Sequence, residues 1–308
     1  MGRGAASVVV SPWVSRRVPA QPCSRAGRPR KRTPAGHRGA SPFATVVLGF
    51  AAVNPEQLAQ LALRVAREAA QVLMGGYRAS LEVREKGRRD LVTEFDTRSE
   101  ELIRERLSHE TPGIAIVGEE GGGTPGGVTW YCDPLDGTMN FVHGHPVFCA
   151  SIGAVDERGP LCGAVVAPAM GIEWWGARGV GAFRNGAACS VSPTERLAES
   201  LLATGFPADR SKHPESNLPT FNEVMQHVQG VRRCGSAAMD CCFVADGTYD
   251  GYWERALHAW DIAAGSAIAL AAGGRLTALD GGLAELERGH IVLTNGRIHD
   301  ELVRLVAR

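Results

Sequence analysis

Leu58, Leu61, Val65, Ala69, Val72 and Leu73 recur at helical spacing and form one apolar stripe. Asn54 precedes the stripe as an N-cap, Pro55 suits the first helical position, and Gly75-Gly76 closes the segment. A second helix is predicted over residues 97–109, with Leu102, Ile103 and Leu107 inward and Pro112-Gly113 as its stop. Between the two helices, residues 84–90 read as a polar loop leading into Leu91-Val92-Thr93. Residues 114–117 are a short buried strand that delivers Glu119 into a Gly-rich loop, and Val128-Thr129-Trp130-Tyr131-Cys132 reads as a strand that stops at Asp133.

Residues 147–155, 161–167 and 172–175 then read as a meander of strands, joined by turn signals at 156–160 and at Met170-Gly171. A second half follows. Residues 201–204 and 231–233 are strand-like, 218–228 and 236–244 helical, and an Ala-rich helix begins at Asp261 and ends at Gly273-Gly274. Residues 291–293 form a late strand, and 298–308 a closing helix. Helices alternating with sheets that include antiparallel pairs place the chain in a layered α/β (α+β) class.

Composition changes this picture mainly at the N-terminus. The 308 residues are 44% apolar and 21% charged, ordinary for a globular protein, and no apolar run approaches the length of a membrane span. The formal charge of zero is uneven: residues 1–55 hold 9 Lys and Arg and no acid, against 24 basic and 33 acidic residues in the remainder. Residues 1–53 are therefore expected to be a disordered basic extension, and 54–308 the folded domain, because an aperiodic Arg-, Pro- and Gly-rich segment cannot bury enough surface to offset its ordering entropy. A mis-assigned start, an organelle-targeting leader and a basic tail are all compatible with it. The 8 cysteines lack Cys-x-x-Cys spacing and fall mostly in apolar segments, which points to buried free thiols in a reducing, cytoplasmic setting.

The candidate chemistry centres on Asp133-Pro134-Leu135-Asp136-Gly137-Thr138. Either Asp-Pro or Asp-Gly alone is an ordinary surface turn. Together, two carboxylates across a Pro turn, next to a glycine that lets backbone amides approach a ligand, suit a divalent cation carrying a phosphate. If Glu119, Asp133, Asp136 and Asp261 converge, their repulsion calls for cations, and all-oxygen ligation favours Mg²⁺ over Zn²⁺.

The string from Asp133 to His143 resembles the first signature of the inositol monophosphatase family. Trp260-Asp261-Ile262-Ala263-Ala264-Gly265, followed by Ala272-Gly273-Gly274, resembles the second, and residues 90–96 and Gly118-Glu119-Glu120 agree in order. The resemblance spans about residues 54–308 and implies the α-β-α-β-α sandwich of the sugar phosphatases. It implies Glu119, Asp133 and the Leu135 carbonyl as ligands of one Mg²⁺, and Asp133, Asp136 and Asp261 as ligands of a second. Thr138 paired with Asp96 would orient a water, and Gly137 and Thr138 would offer N–H groups to phosphate. Asp96 also reads as a plain helix cap. On the substrate side the family places contacts at Asp136, Ala237 within Gly235-Ser236-Ala237-Ala238, Glu254 and Asp261. Glu254 alternatively reads as a solvated charge beside a Trp. Lys86 falls near a family loop lysine, in a loop one residue shorter here.

The implied activity is Mg²⁺-dependent hydrolysis of a phosphorylated polyol, inositol 1-phosphate first, by a homodimer with no membrane partner. Histidinol phosphate, fructose 1,6-bisphosphate and 3′-phosphonucleotides are the rival substrates on the same scaffold. A transcription or RNA-processing partner that uses the basic segment is the reading of another class, and the complete set of carboxylates argues against it as sole function.

Overall fold

The structure, a computed structural model, describes residues 54–79, 83–87, 90–207 and 216–307. The basic extension expected over 1–53 lies outside the described residues. α1 (Pro55–Gly76) starts as its sequence requires, since the Asn54 side chain accepts hydrogen bonds from the Glu56 and Gln57 amides. Next come β1 (Val83–Gly87) and β2 (Asp90–Thr93), an antiparallel pair where a polar loop was expected. Charged, exposed side chains did not prevent pairing there, because the ladder is made by backbone groups. α2 (Glu94–Glu110) begins three residues before the expected Thr97. Thr93 is its N-cap, and the Asp96 side chain closes a capping box.

A seven-stranded sheet follows in the order β3-β4-β5-β6-β7-β8-β9: β3 (Ala115–Gly118), β4 (Thr129–Asp136), β5 (Cys149–Asp156), β6 (Gly159–Ala167), β7 (Ile172–Ala177), β8 (Gly181–Arg184) and β9 (Ala187–Cys189). Only the β3–β4 pair is parallel. The short helix α3 (Thr138–Val142) lies between β4 and β5. The second half holds β10 (Leu201–Thr204), α4 (Leu218–Val224), β11 (Gly230–Arg232), α5 (Ala237–Ala245), β12 (Gly251–Glu254), α6 (Ala259–Ala271), β13 (Arg275–Thr277), β14 (Ile291–Thr294) and α7 (His299–Val306). Its five strands run in the order β11-β10-β12-β14-β13. α4 stops at Val224 rather than 228, α6 begins two residues before Asp261, and β12 and β13 were not anticipated as strands.

Burial resolves these parts into five layers. Along β5 and β6, Ile152, Ala154, Ala164 and Val166 face α1 and α2, while Cys149, Val165 and Ala167 face α5 and α6. Both faces of the sheet are covered, so its strands read as continuous apolar runs. α5 and α6 form the middle layer, the five-stranded sheet the fourth, and Leu202, Trp253 and Val292 pack outward against α4 and α7. α6 lies flush on β5 and β6: a Cβ at Gly153 or Gly163 would run into the Ala264 backbone. Of the described cysteines, five are buried and all are free thiols. Among the described residues no helix is long and apolar enough to cross a membrane.

Candidate active site

β4 does not stop at Asp133, as the sequence suggested, but continues to Asp136 through a bulge. The register explains why both carboxylates meet. Asp133 stands opposite Ser151 and Asp136 opposite Cys149, so three steps on β4 match two on β5. Without the extra residue the two acids would face opposite sides of the sheet; the bulge absorbs one step and turns both toward α5 and α6. Pro134 and Leu135 make the bulge. The Ser99 hydroxyl holds the Pro134 carbonyl at 2.9 Å, and Asp133 Oδ1 accepts from the Leu135 amide at 3.0 Å.

Asp136 is fixed from the other side. Its Oδ2 accepts from the Ser236 hydroxyl and the Ala238 amide, both at 2.7 Å, at the start of α5. Burial, reinforced by Asp261, still pushes the Asp136 carboxyl up to about 7. Asp133 is raised well above the usual carboxylate range, first by burial and then by Glu119, Asp136 and Asp261. Glu119, Asp136 and Asp261 thus all act on the Asp133 carboxyl. Among the described residues no three His, Cys, Asp or Glu side chains already enclose a metal position. The donor set itself, carboxylates plus the Leu135 carbonyl, is the oxygen set that a hard divalent cation takes.

Asp261 enters as the third residue of α6 and accepts from the His258 amide at 2.7 Å, so it caps the helix while facing the cluster. Glu119 follows β3. Its loop is held by Glu100, a buried acid of α2 that accepts from the Glu120 and Gly121 amides and from Arg104.

Asp96 does two things at once. Oδ2 completes the α2 cap, and Oδ1 accepts from the Thr138 hydroxyl at 3.0 Å. That hydroxyl also lies 3.1 Å from the Leu135 carbonyl. Gly137, the N-cap of α3, has φ +93°, and a Cβ there would press on the Val147 carbonyl. α3 is anchored by Phe141, buried among Tyr77, Phe95 and Phe148. The Asn140 amide bridges to the Val147 and Cys234 carbonyls and so ties this turn to the loop before α5.

Ala237 is the first residue of α5. Glu254 ends β12 and is buried rather than solvated; its Oε2 accepts from the Tyr252 hydroxyl. Burial drives its carboxyl up to about 8, helped by Asp261 and Asp136 and opposed by Tyr252 and Arg233. Lys86 lies on β1, with its side chain outside the described residues. The sequence reading named Ser236 only within the stretch around Ala237, without its bond to Asp136, and missed Glu100. Only the Glu100–Arg104 spacing carried a signal, and that signal is shared by any exposed helix pair.

Residues 54–308 match the inositol monophosphatase family. This chain belongs to that family. The inositol-1-monophosphatase of Synechocystis is 44% identical over 230 residues, covering 73% of this chain and 80% of that one. The Nus factor SuhB of Pseudomonas aeruginosa is 37% identical over 261 residues, 82% and 96% of the two chains. The inositol monophosphatase structure from Anabaena superposes with a TM-score of 0.76 at 38% identity, covering 83% and 97%. Like other inositol monophosphatase family members, the chain is a phosphoric monoester hydrolase.

Proposed function

We propose that this phosphatase hydrolyses inositol 1-phosphate and related phosphorylated polyols with Mg²⁺. What supports the reading best is the burial of Asp133 at the end of β4 with Glu119, Asp136 and Asp261 near enough to raise its carboxyl. Glu119, Asp133 and the Leu135 carbonyl would hold one Mg²⁺, and Asp133, Asp136 and Asp261 the other. Bound there, the cations would supply a water nucleophile at neutral pH and offset the charge of the transferring phosphoryl group. The chain's own groups do the rest. The Thr138 hydroxyl commits its proton to Asp96 or the Leu135 carbonyl, so its oxygen accepts from a water and aims it at phosphorus. The Gly137 and Thr138 amides at the start of α3 receive phosphate oxygens. Glu254, a buried acceptor beside Asp136 and Asp261, takes a hydrogen bond from a ring hydroxyl near Ala237.

The test is a hydrolysis screen over inositol 1-phosphate, histidinol phosphate, fructose 1,6-bisphosphate and adenosine 3′,5′-bisphosphate, with Mg²⁺ and with chelator. The expected outcome is Mg²⁺-dependent turnover greatest on inositol 1-phosphate. Equal or greater kcat/KM on any other member would sink the substrate assignment. The family resemblance also leads us to a homodimer in the cytoplasm, checked for assembly by light scattering of the purified chain.

A further inference from the structure

α2 grips the active site with one polar face. Asp96, Ser99 and Glu100, all buried, stand at positions i, i+3 and i+4 of the helix, and each bonds a different piece of the site. Asp96 takes the Thr138 hydroxyl at 3.0 Å, and Ser99 donates to the Pro134 carbonyl at 2.9 Å. Glu100 takes the loop after β3. Its Oε2 accepts from the Glu120 amide at 2.7 Å, and its Oε1 from the Gly121 amide at 2.8 Å and from Arg104 Nε at 2.7 Å. Arg104 donates in turn to the Gly122 carbonyl, so the acid and its guanidinium bind residues 120, 121 and 122 in succession.

The loop is shaped to receive that carboxylate. A Cβ at Gly118 would stand 2.5 Å from Glu100 Oε1, and one at Gly121 would stand 2.8 Å from it, so a side chain at either place would push Glu100 away. The Gly118 amide donates to the Gly122 carbonyl at 3.0 Å, which folds residues 118–122 into a tight turn. Within that turn the Glu119 amide donates to the Cys132 carbonyl at 3.3 Å, next to Asp133. Glu119 is therefore held from two sides, by β4 through its own amide and by α2 through the amides that follow it. Ile103 and Leu107 supply the apolar packing of α2, so the buried charge of Glu100 is not there to fill the core, and burying it is costly unless its bonds are needed.

We propose that Glu100 is a positioning residue for the reaction: it sets the path of the backbone around Glu119, so that the Glu119 carboxylate meets a divalent cation held at Asp133. The inference rests on the reading above and deepens it. Both Glu100 oxygens are committed to donors of the chain, so Glu100 acts only through the loop. Its charge matters in that role. A carboxylate accepts at both oxygens, whereas an amide of the same shape turns an N–H against the Glu120 amide or against Gly121 and Arg104, and the loop has to open. Gly121→Ala reaches the same displacement from the other side of the contact. Gly121 is exposed, its φ lies outside the left-handed range, and the nearest atoms that a methyl would meet there belong to Glu100 and Arg104.

The experiment compares the wild type, Glu100→Gln, Gly121→Ala and the Glu100→Gln/Gly121→Ala double variant. Mg²⁺ binding to the substrate-free proteins is measured by titration calorimetry, and kcat and KM for inositol 1-phosphate are measured as a function of Mg²⁺. Each single variant should bind Mg²⁺ about tenfold more weakly and need about tenfold more Mg²⁺ for half-maximal activity, while KM at saturating Mg²⁺ stays within about twofold of the wild type. The double variant should be no worse than the worse single one, because both changes break one contact. Unchanged Mg²⁺ affinity, with or without a lower melting temperature, would make Glu100 a structural acid and overturn the proposal, as would additive losses. Should Glu100→Gln fail to fold, Gly121→Ala decides by the same two measurements. A wild type that does not bind Mg²⁺ refutes the metal reading and this inference with it. One that binds Mg²⁺ without hydrolysing inositol 1-phosphate refutes the substrate alone, and calorimetry of the variants still judges Glu100.

Discussion

Glu254 is 8% exposed, and a Cβ at Gly205 would collide with its carboxylate, so its backing is as tight as that of any core side chain. A carboxylate so confined, beside Asp136 and Asp261, is worth its burial if a substrate hydroxyl meets it. Glu254→Gln keeps the shape and an acceptor for Tyr252 but replaces the carboxyl group with an amide. It should raise KM for inositol 1-phosphate on the order of tenfold, and harm glycerol 2-phosphate much less, because ring contacts contribute binding while the phosphate end carries the chemistry. Equal losses on both substrates would make Glu254 structural. Motifs singled out residues of this kind: Glu119, Asp133, Asp136, Thr138 and Asp261 stand in strings too specific to be common turns, and in the structure Glu119, Asp136 and Asp261 raise the Asp133 carboxyl while Thr138 donates to Asp96. Ser236 and Asp240 were not legible, since a Ser before a helix and an Asp inside one look like a cap and a solvated face. Only the approach of α5 to β4 gives Ser236 its partner, Asp136. Asp96 shows that the cap and the Thr138 contact were never alternatives, because its two oxygens serve one each.

His299 opens α7 and ties it to two strands: one ring nitrogen lies 2.9 Å from the Thr277 hydroxyl of β13, the other 2.9 Å from that of Thr294 on β14. Burial, with Arg275 nearby, lowers its pKa to about 4. The unfolded chain, with an ordinary His, binds a proton that the folded one refuses between about pH 6.5 and 4. This contribution to stability is complete above pH 6.5 and is lost as pH falls through that window, on the order of 3 kcal/mol in all. The buried acids of the active site work in the opposite sense, so the readout is a difference. Melting temperatures of the wild type and His299→Gln should converge as pH falls from 7 to 5; parallel curves would mean His299 titrates normally. Elements as such were legible where local signals agreed, as in α1, with its Asn54 cap and apolar stripe. They were not where pairing alone decides. β1 carries exposed charge, β13 is three residues long, and the bulge in β4 exists only relative to the register of β5.

At the scale of the whole molecule, the five layers follow from strands whose order in the sheet is not their order in the chain, as in β11-β10-β12-β14-β13. Period and turn chemistry identify strands but cannot say that β10 lies between β11 and β12, which is why the sandwich was available from the resemblance and not from the pattern. The layering has a mechanical consequence. Glu119 and Asp133 arrive from the seven-stranded sheet, Asp261 from the middle layer, and Asp136 is clamped between the two by Ser236 and Ala238. Without cations, their repulsion acts across the seam between sheet and middle helices, so metal binding should be coupled to global stability. Asp261→Asn keeps the volume and the oxygen that caps α6, and removes one charge. The metal-free variant should melt at or slightly above the wild type, since Asp133 and Asp136 lose a repulsive neighbour. Excess Mg²⁺ should then raise its melting temperature less than it raises that of the wild type, because one ligand is gone. The same change should cost about a hundredfold or more in kcat. Thermal melting of both proteins with and without Mg²⁺, run beside the phosphatase assay, separates the outcomes. If the variant keeps the wild-type Mg²⁺ shift and near-wild-type turnover, Asp261 is a helix cap alone, and the second cation must be held without it.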